Sequence, residues 1–176
     1  DLVYMLKNFN LDSLEISKYI KITEKNILKL FDKKKGNFFS LDIKNKKKIE
    51  IPSITNYFIL FADLNNEKIN NKLIKNLKKH NQKEKYFFSS IKPNHKSFEE
   101  KRYWRGPVWI NCNWILYKGL KNKDHLFSKK IKNLTIKLIE KKGIYEYYSC
   151  KNGKPMGASN FSWSAALYLD LILSKN

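Results

Sequence analysis

Residues 103–120 run Tyr-Trp-Arg-Gly-Pro into a mostly apolar stretch that ends Lys-Gly-Leu, and no other segment restricts the possible folds so far. Proline is favoured in the first turn of a helix, where its missing N–H leaves nothing unsatisfied. The stretch therefore predicts a helix opening at Pro107 and running through Leu120. The same block holds three of the four tryptophans, Trp104, Trp109 and Trp114, and both arginines of the chain, Arg105 and the adjoining Arg102. Everywhere else the positive charge is lysine. A guanidinium offers a planar fork of donors that an ammonium cannot. Aromatic faces beside such a fork suit a flat polar ligand, and a sugar is the obvious candidate.

The rest of the chain reads as successive helices joined by loops. Leu2, Leu6, Phe9, Ile16 and Ile20 share one face at helical spacing. Thr23 is a plausible cap for a short helix carrying Ile27 and Phe31 and ending at Gly36. Residues 37–43 and 48–51 read as a small β-hairpin turning at Asn45. Pro52 closes it, and Ser53 can cap a helix through Phe61. Asn65 can cap another, with Ile69, Leu73 and Leu77 as its stripe. Residues 81–103 show no period. Phe127, Ile131, Leu134 and Leu138 mark a helix ended by Gly143. Residues 144–159 read as a loop, and a last helix covers Phe161 to Leu173. The pattern is an array of α/α hairpins, with aromatics gathered where loops meet helices.

Composition excludes more than it selects. The net charge of +20 invites a nucleic-acid reading. The lysines, however, are scattered along the chain, and Asn and Ile are as inflated as Lys. A solvated lysine surface with no specific nucleic-acid partner is the simpler reading. Affinity for DNA or RNA is expected to be weak, sequence-independent and lost as salt rises. No apolar run reaches membrane-spanning length, so no membrane partner is expected. Cys112 and Cys150 form neither a disulfide framework nor a metal spacing, which fits a reducing, cytoplasmic compartment. No phosphate loop, metal cluster or Ser-His-Asp order occurs, and neither metal nor cofactor is expected.

Glu146 is the carboxylate that stands out. It lies between Tyr145 and Tyr147, just after a helix-ending glycine. Aromatic neighbours that desolvate a carboxylate make it a better general base. By spacing alone, a surface glutamate in a tyrosine-rich loop is the simpler reading. Trp109 and Trp114 read first as helix core. Asn111 and Asn113 are odder, because Asn is a poor helix former, and they suggest buried hydrogen bonding. His95 reads as a loop residue, and Asp170 as a solvent-facing one.

At these residues the sequence resembles a known family. Tyr103-Trp104-Arg105-Gly106-Pro107-Val108-Trp109-Ile110-Asn111, then Asn113-Trp114 and Gly119-Leu120, is similar to a signature of glycoside hydrolase family 63 and its relatives, trehalases included. The likeness is closest to bacterial mannosylglycerate hydrolase-like members. A second block follows in order: Gly143-Ile144-Tyr145-Glu146-Tyr147-Tyr148, Gly153, Gly157 and Phe161-Ser162-Trp163-Ser164. The resemblance spans the chain and implies an all-α fold, the C-terminal part of a single (α/α)6 toroid with a small hairpin near residues 37–51. It implies hydrolysis of small α-glycosides, such as mannosylglycerate or glucosylglycerate, with inversion. A trehalase, an oligosaccharide α-glucosidase and a non-catalytic carbohydrate-binding fragment are the alternatives. Glu146 matches the general base. Tyr103, Trp104, Arg105 and Gly106 match the sugar-site signature. Trp109, Asn111, Tyr147 and Trp163 are expected in or behind the sugar-binding wall. The family's general acid is an aspartate in an earlier block, which should precede Asp1. None of Asp12, Asp32, Asp42 or Asp63 has a comparable setting, so the chain alone is expected to be inactive.

Overall fold

The computed structural model describes residues 13–62, 64, 66–80 and 88–174. The expected stripe positions Leu2, Leu6 and Phe9, and the cap Asn65, lie outside them. The chain divides into two compact units, Asp1–Ile49 and Glu50–Asn176.

The first unit holds helix α1 (Ser13–Leu28) and two hairpins. The helix runs unbroken through Thr23, contrary to the expected restart there, because no glycine or proline interrupts residues 13–28. Phe31 is not helical. It opens strand β1 (Phe31–Asp32), which pairs antiparallel with β2 (Asn37–Phe38). The Phe31 and Phe38 rings meet at 5.1 Å. Asp32 Oδ1 accepts the Lys35 amide at 2.9 Å and closes that turn. Strand β3 (Ser40–Asp42) pairs with β4 (Lys47–Ile49). Asp42 holds this second turn by accepting the amides of Lys44 and Asn45 and the Asn45 side chain. The single hairpin expected over residues 37–51 is thus two. The turn at Asn45 is as read, but Asn37 and Phe38 pair backward with β1.

The second unit is built around helix α3 (Ile110–Leu120). Ile110, Cys112, Asn113, Leu116, Tyr117 and Leu120 are all buried, and only the stripe of Trp114, Ile115 and Lys118 is partly exposed, so most of this helix is enclosed. Against it lie the 3-10 helix Ile54–Leu60, helix α4 (His125–Lys142) and helix α5 (Ser162–Leu173). Ser53 caps the 3-10 helix by accepting the Thr55 amide. Gly119 lets that segment approach, since a Cβ there would lie 2.7 Å from the Phe61 amide nitrogen. Helix α2 (Glu67–His80) buries Leu73, Ile74 and Leu77, and its cap is Asn66, whose Oδ1 accepts the Ile69 amide at 3.1 Å. Asp124 caps α4 through the Phe127 amide.

Three expectations fail in this unit. The helix does not open at Pro107. Val108 exchanges two backbone hydrogen bonds with Tyr148, at 2.8 and 3.0 Å, so the chain stays extended until Trp109. Residues 144–159 are not a loop. Strand β5 (Tyr145–Tyr148) pairs antiparallel with β6 (Pro155–Ser159). Asp170 is also no solvent-facing bystander. Its Oδ2 accepts the Trp114 indole N–H at 2.6 Å and the Lys118 ammonium at 2.8 Å. These bonds, that from Lys118 foremost, hold its carboxyl below the usual value and tie α5 to α3.

His80 gives the fold a pH dependence. It is 4% exposed, set edge-on to the Tyr57 and Phe88 rings, and burial lowers its pKa to about 4. The unfolded chain takes up this proton near the ordinary value of 6.5. Stability contributed by neutral His80 is therefore complete above pH 6.5 and lost as pH falls toward 4. At about 1.36 kcal/mol per unit the loss is about 3 kcal/mol. Urea midpoints between pH 7 and 4 should show this slope in the wild type and not in His80→Phe. Parallel slopes in the two proteins would remove His80 as the cause.

Candidate active site

Two distant sequence blocks meet through one strand-like contact. Val108 is bridged to Ser89 on one side and Tyr148 on the other. Beneath this contact lies an apolar cluster of Val108, Ile110, Leu138, Ile139, Tyr148 and Cys150. The fully buried Tyr148 also fixes the entry to β5. Its hydroxyl donates to Gly143 O at 2.6 Å and accepts the Tyr145 amide at 3.0 Å. From the other side, Ser164 at the start of α5 donates to Tyr145 O at 2.7 Å.

On this support sits Glu146, half-buried, with both carboxylate oxygens engaged. Oε1 accepts the Tyr103 hydroxyl at 2.8 Å. Oε2 accepts the Ala158 amide at 3.2 Å. The bond to Glu146 raises the Tyr103 phenol above its ordinary pKa, so the phenol remains the donor at neutral pH. Gly157 makes room: at φ +74 it presses so close that a Cβ would lie 2.5 Å from Glu146 Oε2.

An aromatic wall adjoins the carboxylate. Trp104 and Trp109 stack with centroids 4.2 Å apart and planes 7° from parallel. Tyr103 stands edge-on to Trp109 at 4.8 Å and to Tyr147 at 5.5 Å, and Tyr147 lies 4.9 Å from Trp109. Trp109 is 2% exposed and Trp104 41% exposed, so the stack presents its Trp104 face to solvent. Tyr103, Trp104, Trp109, Tyr147 and Glu146 therefore form one cluster.

The other candidate residues are placed differently. Arg105 points to Glu99, donating to its Oε1 at 2.8 Å, and Arg102 donates to the same oxygen at 3.1 Å. These bonds, Arg105 first, lower the Glu99 carboxyl below its usual value. Gly106 is where the backbone passes residues 99–100, and a Cβ there would lie 2.7 Å from Glu100 Cα. Asn111 is buried, and its Oδ1 meets no donor among the described residues. Asn113 does bond internally, donating to Thr135 Oγ1 at 3.1 Å. Trp163 is 49% exposed and neighbours Ser164, the residue that ties α5 to β5. Glu99 and Glu100 escaped the sequence reading. Two acids just before the only two arginines were the available signal. Glu100 accepts Ser149 Oγ at 2.7 Å and pairs with Lys151 at 2.9 Å, binding this loop to the far end of β5.

Among the described residues no group of three His, Cys, Asp or Glu side chains could hold a metal ion, and no helix is long and apolar enough to cross a membrane. A separate cleft of about 430 Å³, lined by Asn66, Asn70, Asn71, Asn122 and Lys123 among others, contains none of the candidate site residues.

The profile of the mannosylglycerate hydrolase MGH1-like glycoside hydrolase domain matches residues 5–164. The chain belongs to this glycoside hydrolase family. It is 34% identical over 161 residues to mannosylglycerate hydrolase of Thermus thermophilus, an alignment that covers 90% of this chain and 38% of that enzyme. It superposes on the crystal structure of the family 63 mannosylglycerate hydrolase from Thermus thermophilus in complex with Tris and D-glycerate. The TM-score is 0.90 at 29% identity, over 99% of this chain and 42% of that one. Neutral trehalase from Saccharomyces cerevisiae shares the fold, with a TM-score of 0.70 at 20% identity over 93% of this chain and 31% of the trehalase. The chain thus spans less than half the length of these relatives. Its fold is helix-rich with small antiparallel hairpins, and it matches this part of the family 63 structures.

Proposed function

We propose that the whole protein is an inverting α-glycosidase of small α-glycosides, mannosylglycerate or glucosylglycerate, and that this chain carries its general base, Glu146. The observation that carries the reading is the carboxylate held at both oxygens beside a stacked indole pair with one open face. The name of the Thermus relative supports the substrate class. In this reading Glu146 takes a proton from the attacking water while an acid on the far side of the sugar protonates the leaving oxygen. Trp104 and Arg105 contact the sugar. Trp109, Tyr147 and Trp163 form or back the wall, and Gly106 and Asn111 shape the turn and helix start behind it. The buried thiols Cys112 and Cys150 suit a cytoplasmic protein.

The (α/α)6 toroid belongs to the same proposal. Helix α5 is apolar on both faces. Leu171 is buried, yet Leu169, Ile172 and Leu173 are 53%, 43% and 77% exposed. A helix apolar all round is one that further elements cover, and the remaining helices of a toroid would do so.

The test is to follow sugar release from mannosylglycerate, glucosylglycerate and trehalose by NMR. First appearance of the β-anomer from one of the glycerate α-glycosides supports the proposal. An α-anomer first would overturn inversion, and turnover of trehalose alone would overturn the substrate class.

A further inference from the structure

Glu146 owes its orientation to a backbone irregularity and to one strained tyrosine. In the β5–β6 pair, Tyr145 faces Ser159 while Tyr147 faces Met156. One residue of β5, Glu146, is therefore opposed by two of β6, Gly157 and Ala158. This is a β-bulge with a left-handed glycine at its first position. Such a bulge leaves an amide without a ladder partner, and here the Ala158 N–H turns to Glu146 Oε2 at 3.2 Å. The second anchor comes from the other motif. Tyr103 has φ +28, a region that a bulky side chain occupies only where its surroundings impose it. Those surroundings are visible. The Tyr103 carbonyl accepts the Trp109 indole N–H at 3.1 Å, and its ring is boxed edge-on by Trp104, Trp109 and Tyr147. The strained turn aims the hydroxyl at Glu146 Oε1, 2.8 Å away.

We propose that Tyr103 and the Gly157–Ala158 bulge form a two-point cradle that fixes the Glu146 carboxylate, with Tyr103 a positioning residue and not one that chiefly binds sugar. The proposal rests on Glu146 being the general base. A carboxylate on a free ethylene stem samples several rotamers, and one held at both oxygens presents its remaining lone pairs in a single direction. A displacement of about 1 Å can cost on the order of 10²-fold in rate.

Three variants of the complete enzyme test this, together with an amide probe that needs no turnover. Tyr103→Phe keeps the ring and removes the hydroxyl. Its kcat should fall about 10- to 100-fold with KM changed less than threefold. Trp104→Phe should instead act mainly on KM. Gly157→Ala should lower kcat as Tyr103→Phe does. In the labelled protein the Ala158 amide proton should titrate with pH, and that titration should vanish in Glu146→Gln. A Tyr103→Phe enzyme with raised KM and unchanged kcat would overturn the positioning role while leaving Glu146 as base. An Ala158 amide that titrates identically in Glu146→Gln would overturn the cradle whatever the activity. An active Glu146→Gln enzyme would overturn the base assignment itself, and the amide titration would still decide whether the cradle exists.

Discussion

Glu146→Gln in the complete enzyme is expected to lower turnover by about 10²–10⁴ while sugar binding persists. The amide has nearly the shape of the carboxylate but cannot take a proton from water. Its carbonyl oxygen can still accept from the Tyr103 hydroxyl, which donates to Oε1 at 2.8 Å. Its NH₂ then faces the Ala158 amide, which donated to Oε2 at 3.2 Å, so a single weak bond is lost. The Trp104–Trp109 stack, at 4.2 Å and 7°, does not depend on either oxygen. Binding of product sugar, measured by calorimetry, should stay within a few-fold of wild type while initial rates collapse. Wild-type rates in the variant would remove Glu146 from the mechanism.

The parts of this site that could be read from the sequence are those encoded within one block. Trp104, Arg105 and Gly106 stand together in the chain, and Glu146 lies among tyrosines. The meeting of Tyr103 with Glu146 depends on a backbone bridge between Val108 and Tyr148, forty residues apart, and the same bridge overrode the proline rule that placed a helix start at Pro107. The β6 strand was hidden by its composition. Pro155, Gly157 and Ala158 have little strand preference, and the strand exists because β5 pairs with it and the bulge needs a glycine. Asp170 looked solvent-facing because its partners, Trp114 and Lys118, are more than fifty residues upstream. Helix extents were legible where the stop signal was local, as at Gly143, whereas the cap Asp124 went unread. They failed at Thr23, where a capping residue sits mid-helix without a breaker. Arg105 was singled out by its residue type, yet its hold on Glu99 lay in a stretch without periodicity.

The 176-residue chain by itself is expected to show no enzymatic turnover of mannosylglycerate, glucosylglycerate or trehalose. Inversion requires a second carboxyl about 6.5–9.5 Å from the first, and it must carry a proton at working pH. That demands a carboxyl whose pKa is raised. Glu99, just ahead of the motif, is held below its usual value by Arg105 and Arg102. Glu100 is lowered by Ser149 and Lys151, and Asp170 by Lys118 and Trp114. Each is fixed as an anion, the wrong state for an acid. Asp1 and Asp12 lie outside the described residues. The isolated chain should also bind a hydrophobic dye through Leu169, Ile172 and Leu173 on the outer face of α5, exposed by 53%, 43% and 77%. Leu169→Lys with Leu173→Lys should abolish most of that binding, and in the complete domain the dye signal should be absent from the start. Sugar release by the chain, the complete enzyme and the double variant, assayed at equal concentration, decides the matter. Turnover by the chain alone at a rate near that of the complete enzyme would mean that a carboxylate within these residues is the acid, and Asp1 would be the first to replace by Asn.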